Sequence, residues 1–71
     1  MEILVFKTNV SSKKMVSRLK PLLTSVAAIK QWNFDLDDCD NVLRIETTGL
    51  NTRYVETLLQ NAGFDCCELY Y

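Results

Sequence analysis

The chain is written in short apolar blocks whose period changes from one block to the next. Glu2 to Thr8 is an apolar run bounded by polar residues, as expected of a strand buried on at least one face. From Ser12 onward the apolar positions Met15/Val16, Leu19, Leu22/Leu23 and Val26 recur every three or four residues, with Lys14 and Arg18 one turn apart on the opposite side. That spacing predicts an amphipathic helix. Ser11 or Ser12 can cap it, and Pro21 is discordant, since it removes an intrahelical bond and can kink the last turns. Ala28 to Leu36 then alternates Ile29, Gln31, Asn33 and Asp35 with Lys30, Trp32, Phe34 and Leu36, a second strand with Trp32, Phe34 and Leu36 on its core face. Asp37 to Asn41 is a turn by composition and Val42 to Thr47 a β-branched third strand. Past Gly49, Asn51 can cap a second helix with Val55, Leu58, Leu59 and Ala62 inward and Gly63 at its C-cap. Phe64 to Tyr70 is the fourth strand.

The order βαββαβ is the split βαβ arrangement of ferredoxin-like domains. Right-handed crossovers would place both helices on one face of an antiparallel sheet ordered 4-1-3-2. Residues 8–12, 37–41 and 62–65 then meet at one end, which is where such a domain would present its chemistry. With 71 residues there is room for one domain, 1–71, burying roughly 60% of its unfolded surface. No segment approaches the ~20 apolar residues of a membrane span, so no membrane insertion is expected. The first residues lack a basic n-region and a cleavage site, so they do not read as a signal peptide. Cys39, Cys66 and Cys67 are odd in number and two are adjacent, which fits reduced thiols in the cytoplasm better than a disulfide framework.

Charge divides along the chain. Residues 1–34 carry six cations against Glu2 alone, a balance of +5, and residues 35–71 carry eight carboxylates against Arg44 and Arg53, a balance of -6. Such polarity suggests oriented docking or head-to-tail association. The acidic total, and a third strand lacking aromatics, disfavour nucleic acid. With no His, and carboxylates gathered in a solvated turn, no acid-base or nucleophile constellation is present and an enzyme is not expected.

Several segments together resemble a heavy-metal-associated domain, the family of small copper and zinc chaperones and of modules in metal-transporting ATPases. They are Val5-Phe6-Lys7-Thr8, Val16-Ser17-Arg18-Leu19, Trp32-Asn33-Phe34-Asp35-Leu36, Val42-Leu43-Arg44-Ile45-Glu46-Thr47 and Leu58-Leu59-Gln60-Asn61-Ala62-Gly63-Phe64. The resemblance implies two thiolates in the first loop, where a helix N-terminus lowers their pKa and soft Cu(I) or Zn(II) is held. Aligned on Val16, those positions are Asn9 and Ser12, neutral hard donors ill suited to a soft cation. The standard site is therefore expected to be missing, with no cofactor.

Three functions remain for such a loop. The first is a metal-independent docking module whose basic helix face, Lys13, Lys14, Arg18 and Lys20, resembles the chaperone patch that meets an acidic protein partner. The second is Cu(I) or Zn handling by other sulfurs: Cys39 with Cys66, Cys67 across two subunits, or Met15 one turn into the helix. Cys66 faces the helices by alternation and reads as core, and Cys67 as exposed. The third is an anion held by Ser11, Ser12 and Lys13 at the helix start. Strand 4 is an edge, with Tyr70 and Tyr71 as partly exposed terminal tyrosines, and offers edge-to-edge homodimerisation.

Overall fold

The computed structural model describes residues 1–69. Strand β1 (Glu2–Thr8) turns Leu4, Phe6 and Thr8 inward and leaves Ile3 62% exposed on the other side. Helix α1 (Lys13–Thr24) begins where the Ser12 hydroxyl accepts the Met15 N–H at 3.2 Å, satisfying one of the orphan donors of a first turn, and it buries Leu19 and Leu23. Pro21 lies inside it without ending it. Its missing N–H costs one bond of the ladder, and the Ser25 N–H still reaches the Pro21 carbonyl at 3.1 Å.

Strands β2 (Ile29–Asp35) and β3 (Val42–Thr47) form the expected hairpin. Helix α2 (Thr52–Asn61) is capped by Asn51, whose side-chain oxygen accepts the Arg53 N–H at 2.8 Å. Past the C-cap Ala62, Gly63 adopts φ +92°. Its N–H then meets the Gln60 carbonyl while that of Phe64 meets Leu59, the paired bonds of a Schellman ending that a left-handed residue permits. Strand β4 is Cys66–Glu68, shorter than the predicted run. Phe64 is buried ahead of it in the connection, and Tyr70 and Tyr71 lie outside the described residues.

The antiparallel sheet runs β2-β3-β1-β4, the predicted order read from its other edge. Leu19 and Leu23 of α1 and Val55 and Leu59 of α2 join Leu4, Phe6, Leu43 and Ile45 in one cluster, so both helices cover the same face. Among the described residues no helix is long and apolar enough to cross a membrane.

Two expectations need correction, and a third gains no support. Ile29 is buried, not outward, because the register slips between Ile29 and Gln31: one extra residue, Lys30, shifts the phase of the strand by one. Strict alternation across a bulge assigns the wrong face. Second, Trp32, Phe34 and Leu36 lie on the helix side but are only half-buried, and α1 leaves a shallow cleft of about 400 Å³ against them, lined also by Lys13 and Val16. Third, the β4 edge is occupied. The Gln60 amide donates to the Cys66 carbonyl at 3.2 Å, and the Glu56 carboxylate accepts the Glu68 N–H at 2.8 Å. Side chains of α2 thus occupy two of the groups that another strand would use, and nothing among the described residues supports pairing through β4.

Candidate functional site

The three connections meet at one end as expected, and hydrogen bonds join them. Thr8, only 5% exposed at the end of β1, is the hub. Its N–H donates to the Asp40 carbonyl at 3.1 Å, its hydroxyl donates to the Asn41 carbonyl at 2.6 Å, and the same hydroxyl oxygen accepts the Val10 N–H at 3.1 Å. Asn41 holds φ +46°, a left-handed conformation that asparagine tolerates better than most residues. Lys7 adds an ion pair to Asp40 at 3.7 Å. It is exposed, so its contribution to stability is small.

The loop between β1 and α1 is folded into this network. Val10 is 0% exposed and belongs to the core cluster, which anchors the middle of the loop from below. The Asn9 side-chain oxygen accepts the Asp65 N–H at 2.9 Å, tying the first loop to the connection before β4. Ser12 caps α1. The Ser11 N–H lies 3.4 Å from the Met15 sulfur and its hydroxyl 3.7 Å, so both turn toward the helix's own first turn. The two positions matched to metal-binding cysteines therefore carry oxygens already bonded within the fold. Sequence reasoning missed Val10 and Thr8 as the fixed points of the loop; an isolated apolar residue within a polar stretch was the available signal.

The three cysteines sit in different settings. Cys66 is 4% exposed under α2, and burial, with the Glu56 carboxylate and Cys67 nearby, pushes its thiol up to about 12. Burial that favours the protonated form makes this thiol less nucleophilic than an exposed one. Cys67 is exposed and paired in register with Lys7, on the opposite side of the sheet from Cys66. Cys39 is exposed, with donor atoms of Asp38 and Asp40 within 4.8 Å, a group that includes neither other cysteine and mixes one soft donor with two hard ones. Within one chain Cys66 and Cys67, on opposite sides of the sheet, do not converge on one soft cation.

Burial of the Cys66 thiol has a measurable consequence. The folded-state value lies above the ordinary 9.0, so the stabilisation is complete below pH 9 and is lost as pH rises towards 12, where only the unfolded chain gains by ionising. By pH 10 the loss is roughly 1.4 kcal/mol. Urea midpoints compared at pH 8 and pH 10 should fall more in the native protein than in Cys66→Val; equal falls would exclude this origin.

On α1, Lys13, Lys14, Arg18 and Lys20 are all exposed. Among the described residues the Lys7–Asp40 pair is the only ion pair, so none of the four has a carboxylate within salt-bridge distance. Arg18 is engaged differently: its guanidinium lies 5.7 Å from the centre of the Phe64 ring, a cation–π contact between α1 and the α2–β4 connection. The charge division along the sequence does not become two opposed faces. Lys13 lines a groove with Asp35, Asp37 and Arg44, and Lys7 meets Asp40, so opposite signs mingle at the end bearing the loops. No protein-family model matches this chain, and a search of curated proteins finds no match.

Proposed function

We propose that this chain is a non-enzymatic docking module with a ferredoxin-like, heavy-metal-associated type of scaffold, in which the position of the metal loop is used as a structural tie. The observation that carries the reading is the Asn9 bond to Asp65 together with the Ser12 cap: both oxygens are spent on the fold, over a loop anchored by buried Val10. What remains available is charge. Lys13, Lys14 and Lys20 are exposed cations on α1, which suits an acidic patch on a partner protein and acts mainly on orientation and association rate. The fold signature quoted above and the βαββαβ order support the scaffold assignment.

The triple variant Lys13→Glu, Lys14→Glu, Lys20→Glu tests the docking face, leaving Arg18 in place because it stacks on Phe64. Captured partners should be retained by the native protein at low salt and released at high salt. The variant should lose them by about tenfold or more, since like-charge juxtaposition at an interface costs several kcal/mol and each ~1.4 kcal/mol is tenfold. Unchanged capture by a folded variant would reject the basic face as the docking surface.

A further inference from the structure

The two edges of the sheet are treated differently, and the difference points to a partner. β4 spans three residues, and two of its edge groups, the Cys66 carbonyl and the Glu68 N–H, are bonded by Gln60 and Glu56. β2 spans seven, and among the described residues no side chain or connection bonds the backbone of residues 30–34, the nearest such bonds falling at Ala28, Ile29 and the Asp35 side chain. An edge strand bonds its one neighbour through alternate residues only, so the rest direct N–H and C=O outward as a template for another strand. On this edge the side chains facing the helices are Trp32 and Phe34, half-buried, edge-to-face at 6.0 Å, beside the cleft against α1.

We propose that β2 is the docking edge for a second copy of this chain, paired antiparallel about a two-fold axis at Asn33 to give one continuous eight-stranded sheet. In that register Asn33 lies opposite its own copy, and Trp32 of each chain lies opposite Phe34 of the other. Cross-strand neighbours share a face, so all four rings gather on the helix side and shield one another's exposed halves. Charge favours the same arrangement. Lys30 lies near one end of β2 and Asp35 and Asp37 at the other, so antiparallel pairing brings the Lys30 end of each chain towards the acidic end of the second copy. None of these three charges has an ion-pair partner among the described residues. The bulge at Lys30 ends the flat stretch and limits pairing to about residues 31–35. A two-fold contact of this kind is closed, so it stops at a dimer.

Sedimentation equilibrium and Trp32 emission test this together, since Trp32 is the single tryptophan of the chain. Mass should rise from 8.2 kDa to twice that value with concentration, and the emission should shift to the blue over the same range. Phe34→Lys should remain at the monomer mass with unshifted emission. Asn33→Cys, placed in a Cys39→Ser, Cys67→Ser background, should oxidise to a covalent dimer, because residues directly opposite have Cβ atoms about 4.5–5.5 Å apart. Should Phe34→Lys fail to fold, the cross-link at exposed Asn33 decides alone. A monomer at every concentration overturns the proposal, as does a dimer in which Asn33→Cys stays uncoupled or native Cys67 couples instead.

Discussion

Replacing Thr8 with valine is expected to cost about 2–4 kcal/mol of stability, because a buried N–H and a part-buried carbonyl lose their partner at once, and a buried unsatisfied group costs ~1–3 kcal/mol. Valine matches threonine in shape, so packing is conserved and the loss isolates the hydroxyl. The groups concerned are the Val10 N–H, which donates to the hydroxyl oxygen, and the Asn41 carbonyl, which accepts its proton. Native stability for a chain of this length is about 4–10 kcal/mol, so the variant would retain little reserve. Urea unfolding measures the total, and amide exchange at Val10 shows where it arises. Thr8→Ser retains the hydroxyl and should lose only about 1 kcal/mol, the burial of one methyl. A Thr8→Val protein within 0.5 kcal/mol of native, on a scale where one hydrogen bond is worth about that much, would mean that Thr8 does not hold the loops together.

The parts of this fold that could be read from the sequence are those fixed by local rules. Helix spacing from Val16 to Leu23, the Asn51 cap and the Gly63 ending each depend on neighbours within a few residues, and each is found where those neighbours place it, whereas Val26 falls past the end of α1. The β-branched run from Val42 to Thr47 located β3, and alternation the body of β2, for the same reason. It misplaced Ile29 because a bulge is set by the partner strand: the slip becomes visible only when Thr47 and Glu46 are laid beside β2. Likewise, Trp32 and Phe34 were read as core because period two gives the face and not the depth. Their exposure depends on how closely α1 approaches β2, which no local pattern encodes.

The loop shows the same division. Its missing thiols are evident from composition, whereas the use of Asn9 is not, since Asp65 lies 56 residues away. Long-range partners also explain why charge counted along the chain overstated its polarity in space: Lys7 and Asp40 belong to opposite halves of the sequence and meet at 3.7 Å. The capped β4 edge follows the same logic. Glu56 and Gln60 read in sequence as solvent-facing positions of α2, and their effect on the edge becomes clear only once β4 is placed under that helix.

Introducing thiols into the first loop, Asn9→Cys with Ser12→Cys, is expected to turn a chain that retains little Cu(I) under reducing conditions into one that holds one ion per molecule, since two soft thiolates meet that ion's needs. The positions are three apart, they flank the start of α1, and the positive end of the helix favours the thiolate forms. Two native interactions are given up in exchange. Loss of the Ser12 cap costs about 0.5–2 kcal/mol and loss of the Asn9 bond to Asp65 about 1 kcal/mol, so the metal-free double variant should unfold at lower urea than the native protein. Metal should restore it, by about 2.7 kcal/mol at a free concentration one hundred times the dissociation constant. Equilibrium dialysis with a Cu(I) buffer measures binding, and a urea midpoint with and without metal measures the coupling. Each single variant should bind weakly, with one thiolate against a soft ion that requires two. If the folded, reduced double variant held no more Cu(I) than the native protein, the anchoring of Val10 would be keeping the two side chains apart, and more than the donor atoms would separate this loop from a metal site. If the native protein itself held a full equivalent, the sulfurs of Cys39, Cys66, Cys67 or Met15 would be holding it, and the metal-independent docking reading would be wrong.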